Sequence, residues 1–527
     1  MGRIRSMSFA FLLALPLVVA AGPASDATAA PTGYEHDVLR ICEAVFQLFE
    51  QRGDEIWPGY SLAERPFVVY IPERWALFFN ADRDVDGFGP LPDDWPDVGR
   101  DILYHEGTYG NLVGQLGFDY ELGGITTVAI GFPESLPESM EDAELKMLGY
   151  IVHEAFHQYQ NEFFGDTPWA REQSYPIEDR ENAASAYLEM VLLVDALEAA
   201  RDGEPERCRR STARFLAVRD DRWRTADPFV AVYEQGKETR EGTARFVELM
   251  SFHLMRDLSY RSALDHAPSP LRACFDSASM PGYLISCFGE RMGDGCVPIE
   301  HLFRNRIYPV GSAQAFLLDY FGIEWRTDAE QRTPEFTYAQ LLRDGLGVDD
   351  ARFATLLEEA RSAYDYPAML AAAEREIERY VAEYREAVQA FDSQPGRRIE
   401  ITLSSNGVYR SRVSTARKWV VDRGTRSICS HYQVYTLESD DLFLQVHEAG
   451  LFEENDWDAY RKKVAFYEPG VVSITSDGET VDLPENAPLS FGSIELIGAG
   501  FELRYGKPGT IIAAGDRLTV FIVPAGE

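Results

Sequence analysis

The hydrophobic period of this chain switches for good near residue 396, and that switch limits what it can fold into. Between about residue 141 and Phe391 apolar residues recur at helical spacing, ending in an amphipathic, charged run from Ala368 to Phe391. Ser393, Gln394, Pro395 and Gly396 interrupt the pattern. From Ile399 onward, runs such as IEITL, HYQVYTL, LFLQVHE, KVAFYE and RLTVFIVP alternate with a period of two, with Gly, Asp and Pro between them. That alternation predicts an all-β domain, a sandwich or barrel, over 398–527. Residues 31–140 mix both kinds of pattern. His36 to Gln51 has helical spacing through Val38, Leu39, Ile41, Cys42, Val45, Phe46 and Phe49. FVVYI at 67–71 and ITTVAIGF at 125–132 predict strands, and the Gly-, Pro- and Asp-rich segment between them predicts turns and loops. The class is therefore α+β: a small N-terminal α/β part at 31–140, a mainly helical region at 141–392, and the C-terminal β-domain.

Inside the helical region, residues 151–160 read IVHEAFHQYQ, where His153, Glu154 and His157 form H-E-x-x-H. Positions i and i+4 of a helix share a face, so both imidazoles can address one ion. Glu154 then lies beside it, where a carboxylate can take a proton from bound water. The plainer reading is a helix with two surface histidines. Against it, Leu145, Leu148, Val152, Phe156 and Phe163 recur at helical spacing and predict a long buried helix over 139–164, with Ser139 as its cap. Two histidines and a glutamate in a buried helix need partners, and a cation supplies one. A strand just ahead of this helix, at 125–132, would suit a peptidase if it lay at a sheet edge, because an edge pairs with an extended backbone.

Three glutamates compete to complete such a site. Glu181 comes 24 positions after His157 and begins ENAASAY. Glu189 lies in the apolar run AYLEMVLLVDAL, where a lone carboxylate is costly unless bound to metal or paired with a cation. Glu241 begins EGTARFVELMSFHLM, which predicts a helix from 241 to 255 with an acidic first turn. Tyr308 sits just before a predicted helix from Gly311 to Phe321 and can serve as core, loop anchor or oxyanion donor.

Taken together, HEAFH at 153–157, EGTARF at 241–246 and YPVGSA at 308–313 resemble the gluzincin metallopeptidases, especially their aminopeptidase N-like branch. The sequence also resembles a group of poorly characterised exported bacterial proteins. The resemblance covers roughly residues 120–330. It implies a gluzincin-like catalytic region holding Zn²⁺ on His153, His157 and Glu241, with Glu154 as general base and Tyr308 steadying the oxyanion. Glu241 is preferred because its 67-position separation from Tyr308 suits that branch; Glu189 and then Glu181 are the alternatives. Two features depart from the pattern. The gap from His157 to Glu241 is about four times the usual one, which an inserted helix pair beginning at 178–202 would explain. The stretch GGITTVAIG at 123–131 lacks the glutamate that grips a free amine, so aminopeptidase specificity is not implied.

The net charge of −36 argues against a nucleic-acid partner. Arg3, Arg5, the apolar run Phe9–Ala20 and the small residues after it read as a signal peptide within 1–30, too short for a membrane span. A secreted or periplasmic location is expected, with no membrane span in the mature chain. Export permits disulfides among Cys42, Cys208, Cys274, Cys287, Cys296 and Cys429, with Cys287–Cys296 the preferred pair across a glycine-rich loop. No C-x-x-C pair exists to make a zinc knuckle. The function expected is a secreted zinc-dependent metallohydrolase acting on a peptide or protein substrate. The alternative is a non-catalytic exported binding protein with a structural metal site, whose β-domain binds the partner.

Overall fold

The computed structural model describes residues 33–96, 99–110, 112, 117–132, 143–164, 171–255, 279–331, 336–404, 410–415, 417–439, 441–456 and 461–522. The stretch read as a signal peptide, the expected Ser139 cap and Cys274 lie outside the described residues. The chain forms two compact units, one from Gly22–Ala170 with Ala184–Met369, the other including Arg171–Ala183 and Leu370–Glu527.

In the first of these units, helix α1 (Gly33–Ile56) precedes strands β1 (Phe67–Ile71), β2 (Trp75–Phe79), β3 (Gly89–Pro90), β4 (Ile102–Glu106), β5 (Gly117–Leu122) and β6 (Ile125–Gly131). They form one sheet in the order β3-β4-β2-β1-β6-β5. Every residue of FVVYI and of WALFF is buried, as continuous apolar runs covered on both faces should be. On one face Phe67 and Phe79 stack at 4.8 Å and meet Phe46 of α1. On the other, Val68, Tyr70 and Phe78 pack with Val85, Leu112 and Leu122.

Two expectations need correction here. The segment between 71 and 125 holds four strands rather than only turns and loops. WALFF follows FVVYI across a tight turn with Glu73 at φ 64°, so two apolar runs separated by polar turn residues form a hairpin. Strand β6 is also not an edge: it pairs with β1 in parallel and with β5 antiparallel, leaving β5 outermost.

Beyond β6 come α2 (Ala143–Phe163), α3 (Arg180–Arg201), α4 (Pro205–Thr225), α5 (Pro228–Lys237), a π-helical turn (Glu238–Gly242), α6 (Thr243–Met255), α7 (Met280–Gly289), α8 (Ile299–Leu302) and α9 (Ile307–Tyr320). The helix expected to begin at Glu241 is thus one stretch from Pro228 to Met255, with Glu241 in its interior. Asp227 caps it, accepting from the Phe229 amide, and Pro228 occupies the first turn. Leu148, Val152 and Phe156 of α2 are fully buried, whereas Phe163 at its end is 46% exposed. Rings of Trp57, Phe156, Phe246, Trp325 and Tyr338 meet in an edge-to-face series behind α2 and α6. No described helix is long and apolar enough to cross a membrane.

The other unit contains an all-β region of 13 hydrogen-bonded strands among the described residues, from Arg397 to Ile522. Its last strand returns parallel to its first, pairing Leu518 with Ile399 and Val520 with Ile401, all buried in one core. Glu453 is buried there against Lys418 Nζ at 2.8 Å, Ser427 Oγ at 3.1 Å and Lys462 Nζ at 2.5 Å. Burial alone would raise its carboxyl, but the two ammonium groups outweigh that and hold it below the usual carboxylate range. A depressed folded-state pKa stabilises the fold above the unfolded value, about 4.3, and that contribution is lost as pH falls through the folded one. Glu453→Gln is expected to flatten the acid limb of stability below about pH 4 in melts followed by β-sheet circular dichroism. An acid limb identical to wild type would remove Glu453 from this account.

Candidate metal centre

Helix α2 presents His153 and His157 one turn apart, with ring centroids 4.9 Å from each other. Glu241, 84 positions beyond His157, reaches both. Its Oε2 lies 3.5 Å from His153 Nε2 and 3.2 Å from His157 Nε2. Bonds of roughly 2.0–2.2 Å in tetrahedral array place neighbouring ligand atoms about 3.4 Å apart, so this spacing fits one divalent ion. Among the described residues this is the cluster of three ligands close enough to hold a metal, with donor atoms all within 4.8 Å of one another.

The nitrogens on the far sides of the rings are also engaged. His153 Nδ1 faces Glu248 Oε2 at 3.3 Å, and His157 Nδ1 faces Gln160 Oε1 at 2.7 Å. The Gln160 amide is oriented by its own NH₂, which donates to the Arg240 carbonyl at 2.9 Å. Acceptors at both Nδ1 positions place the ring protons there and leave both Nε2 lone pairs for an ion. Burial lowers the His153 pKa, but its hydrogen bonds to the Glu241 and Glu248 carboxylates and the charge of Glu154 override that and push it up to about 10. Burial would raise Glu241, yet the two imidazoles and Lys237 hold it well below its ordinary value.

Glu248 reaches His153 because Gly149 leaves room. A Cβ at 149 would lie 2.8 Å from Glu248 Oε1 and 2.5 Å from Phe252 Cζ. Arg245 pairs with the same carboxylate and donates to Cys287 Sγ at 3.0 Å. That thiol packs against a guanidinium, and the expected Cys287–Cys296 bond is absent. Among the described residues Cys42, Cys208, Cys287, Cys296 and Cys429 are all outside disulfides.

The π-turn decides where Glu241 points. Glu238 and Glu241 are three apart, and on an α-helix they would crowd one face. The wider turn separates them. Glu238 takes Arg219 Nη1 at 2.6 Å and Gln314 Nε2 at 2.8 Å, while Glu241 takes the histidines and Lys237 Nζ at 3.2 Å. Glycines let α9 close on this turn. A Cβ at Gly311 would lie 2.7 Å from the Glu238 carbonyl and 2.8 Å from Gly242 Cα. The second residue of EGTARF and the fourth of YPVGSA are therefore in backbone contact. Gly311→Ala is expected to cost about 1–3 kcal/mol through overpacking and to weaken metal retention, read by thermal melts with and without added metal. If neither measurement moves, the contact does not govern the site.

Tyr308 lies in the first turn of α9 rather than before it, and its ring stacks on His153 at 5.8 Å and 25°. Burial and the neighbouring Glu241 charge raise its hydroxyl above the ordinary value. Glu154 is half-buried, and its charge acts on both His153 and Tyr308.

The other two glutamates lie elsewhere. Glu181 is exposed beside Arg180. Glu189 is fully buried and accepts from Arg219 Nη2 at 2.7 Å and Arg222 Nε at 2.6 Å. Arg222 also pairs with Glu234, and Arg306 does the same, so three carboxylates and three guanidiniums share one buried network between α3, α4 and the π-turn. Helices α3 and α4 lie between His157 and Glu241 along the chain. Their charges end on Glu238, the first residue of the π-turn.

Comparison with protein-family models, curated proteins and solved structures returned no match.

Glu248, Gln160 and the glycine contacts have no place in the sequence reading. Glu248 had a readable signal, a second acid two turns after Glu241 on a mainly apolar helix. Gln160 had only its i+3 position after His157.

Proposed function

We propose that this chain is an exported zinc-dependent metallohydrolase that cleaves peptide bonds, related to the gluzincins of the aminopeptidase N-like branch. The observation that carries the reading is the arrival of Glu241, from a distant helix, on both Nε2 atoms of H-E-x-x-H while both Nδ1 atoms are already engaged. Two imidazoles and one carboxylate are the ligand set of zinc hydrolases that keep a position open. Zinc held by His153, His157 and Glu241 would supply Lewis acidity toward a water molecule and a carbonyl oxygen. Glu154, adjacent to His153 and half-buried, accepts the proton from that water and returns it to the leaving amine. Tyr308, kept protonated by burial, donates to the oxyanion that develops on the carbonyl. Export rests on the pattern of residues 3–30.

Metal analysis of the purified chain combined with digestion of a mixed peptide library tests this reading. About one zinc per chain and zinc-dependent cleavage is the expected result. Bound zinc without cleavage would leave a structural metal site. No zinc after adding it back would remove the hydrolase.

A further inference from the structure

Two carboxylates face the imidazoles of this centre, and each is gripped by a cation on its other oxygen. Glu248 turns Oε2 to His153 Nδ1 at 3.3 Å, while Arg245 Nη1 donates to Oε1. Glu241 turns Oε2 to both Nε2 atoms, at 3.5 Å and 3.2 Å, while Lys237 Nζ donates to Oε1 at 3.2 Å. Arg245 therefore acts on a carboxylate that holds a ring. Lys237 acts on the carboxylate that would hold the ion itself.

Along the helix Lys237 has acids on both sides of it. Glu234, three positions before, is fully buried and engaged by Arg222 and Arg306. Glu238, the next residue, turns away to Arg219 and Gln314. The ammonium meets Glu241, four positions on, and the two side chains are only 19% and 13% exposed. A pair so enclosed is screened less by solvent and salt than one on an open surface.

A carboxylate can give an ion one oxygen or both. With both, Glu241 would use a position that water and substrate need. An ammonium on Oε1 competes for that oxygen and leaves Oε2 for the ion. It also draws charge from the ligand, so that an ion there keeps more of its Lewis acidity. The same ammonium repels a divalent ion. It thus works against metal binding and in favour of the chemistry, a combination that a pair serving only to steady the helix would not produce.

We propose that Lys237 is a positioning residue that holds Glu241 to ligation through one oxygen, lowering metal affinity and raising reactivity. The proposal rests on the metallohydrolase reading above.

Lys237→Met removes the charge and keeps the length of the side chain. Zinc affinity of the full chain, measured by competition with a chelator, is expected to rise roughly three- to tenfold. With cobalt(II) in place of zinc, the variant is expected to lose visible absorption, because a second oxygen from Glu241 adds a ligand and cobalt(II) with more ligands absorbs more weakly than tetrahedral cobalt(II). On a peptide that wild type cleaves, kcat is expected to fall by roughly 10- to 100-fold with KM little changed. Lys237→Arg, whose guanidinium can also hold Oε1, should return affinity and spectrum toward wild type. Zinc bound more weakly by Lys237→Met would mark a pair that only steadies Glu241, and would overturn the proposal. An affinity and a cobalt spectrum equal to wild type would overturn it as well. Both metal readouts need no substrate, so a chain that binds zinc and cleaves nothing ends the hydrolase reading and still decides the role of Lys237. A wild-type chain that takes up neither metal ends both.

Discussion

Glu154→Gln is expected to bind metal as wild type does and to lose turnover by about 10²–10⁴-fold. Glutamine keeps the shape and the exposure of the side chain, and it leaves His153, His157 and Glu241 in place. It cannot accept the proton. Metal content and peptide hydrolysis, measured on the same preparation, separate the two effects. Metal lost together with activity would mean that Glu154 holds the site rather than serving it. Activity kept would leave the proton with another base, and the proposed mechanism would fall.

The second large effect distinguishes Glu241 from Glu189. Glu241→Ala removes a ligand atom that sits 3.2 Å and 3.5 Å from two imidazole nitrogens, so metal content should drop close to zero in a folded chain. Glu189→Ala should do the opposite. It leaves Arg219 with Glu238 and Arg222 with Glu234, so three buried guanidiniums then share two carboxylates, and breaking such a buried pair costs about 3–5 kcal/mol. The folded fraction should still take up metal. Thermal melts and metal analysis of both variants read this out directly. Metal lost selectively from Glu189→Ala would reverse the assignment.

The same comparison shows how far the residues speak for themselves. That a carboxylate in AYLEMVLLVDAL must be compensated is a statement about burial, and it holds for Glu189. Which cation compensates it is a matter of distance, because α4 supplies Arg219 and Arg222 from 30 and 33 positions further on. The hairpin of β1 and β2 is obscured for a different reason: its turn is polar and contains Pro72, and WALFF runs straight into a stretch rich in Gly, Pro and Asp. Likewise the continuous helix from Pro228 to Met255 was hidden by the Glu-Gly pair, which reads as a helix start and is instead the end of a π-turn.

Local patterns determined the α+β character of this chain, the helix that carries His153 and His157 on one face, and the all-β region after Gly396. Each is set by periodicity within a few residues, because the side chain's direction follows from the backbone's repeat. Only the tertiary structure decided that Glu241 rather than Glu189 completes the cluster, that Glu248 and Gln160 hold the imidazoles, and that Gly242 meets Gly311 beneath Tyr308. Those depend on a wide helical turn and on helices brought together from distant parts of the chain, and neither is encoded in the spacing of any one segment.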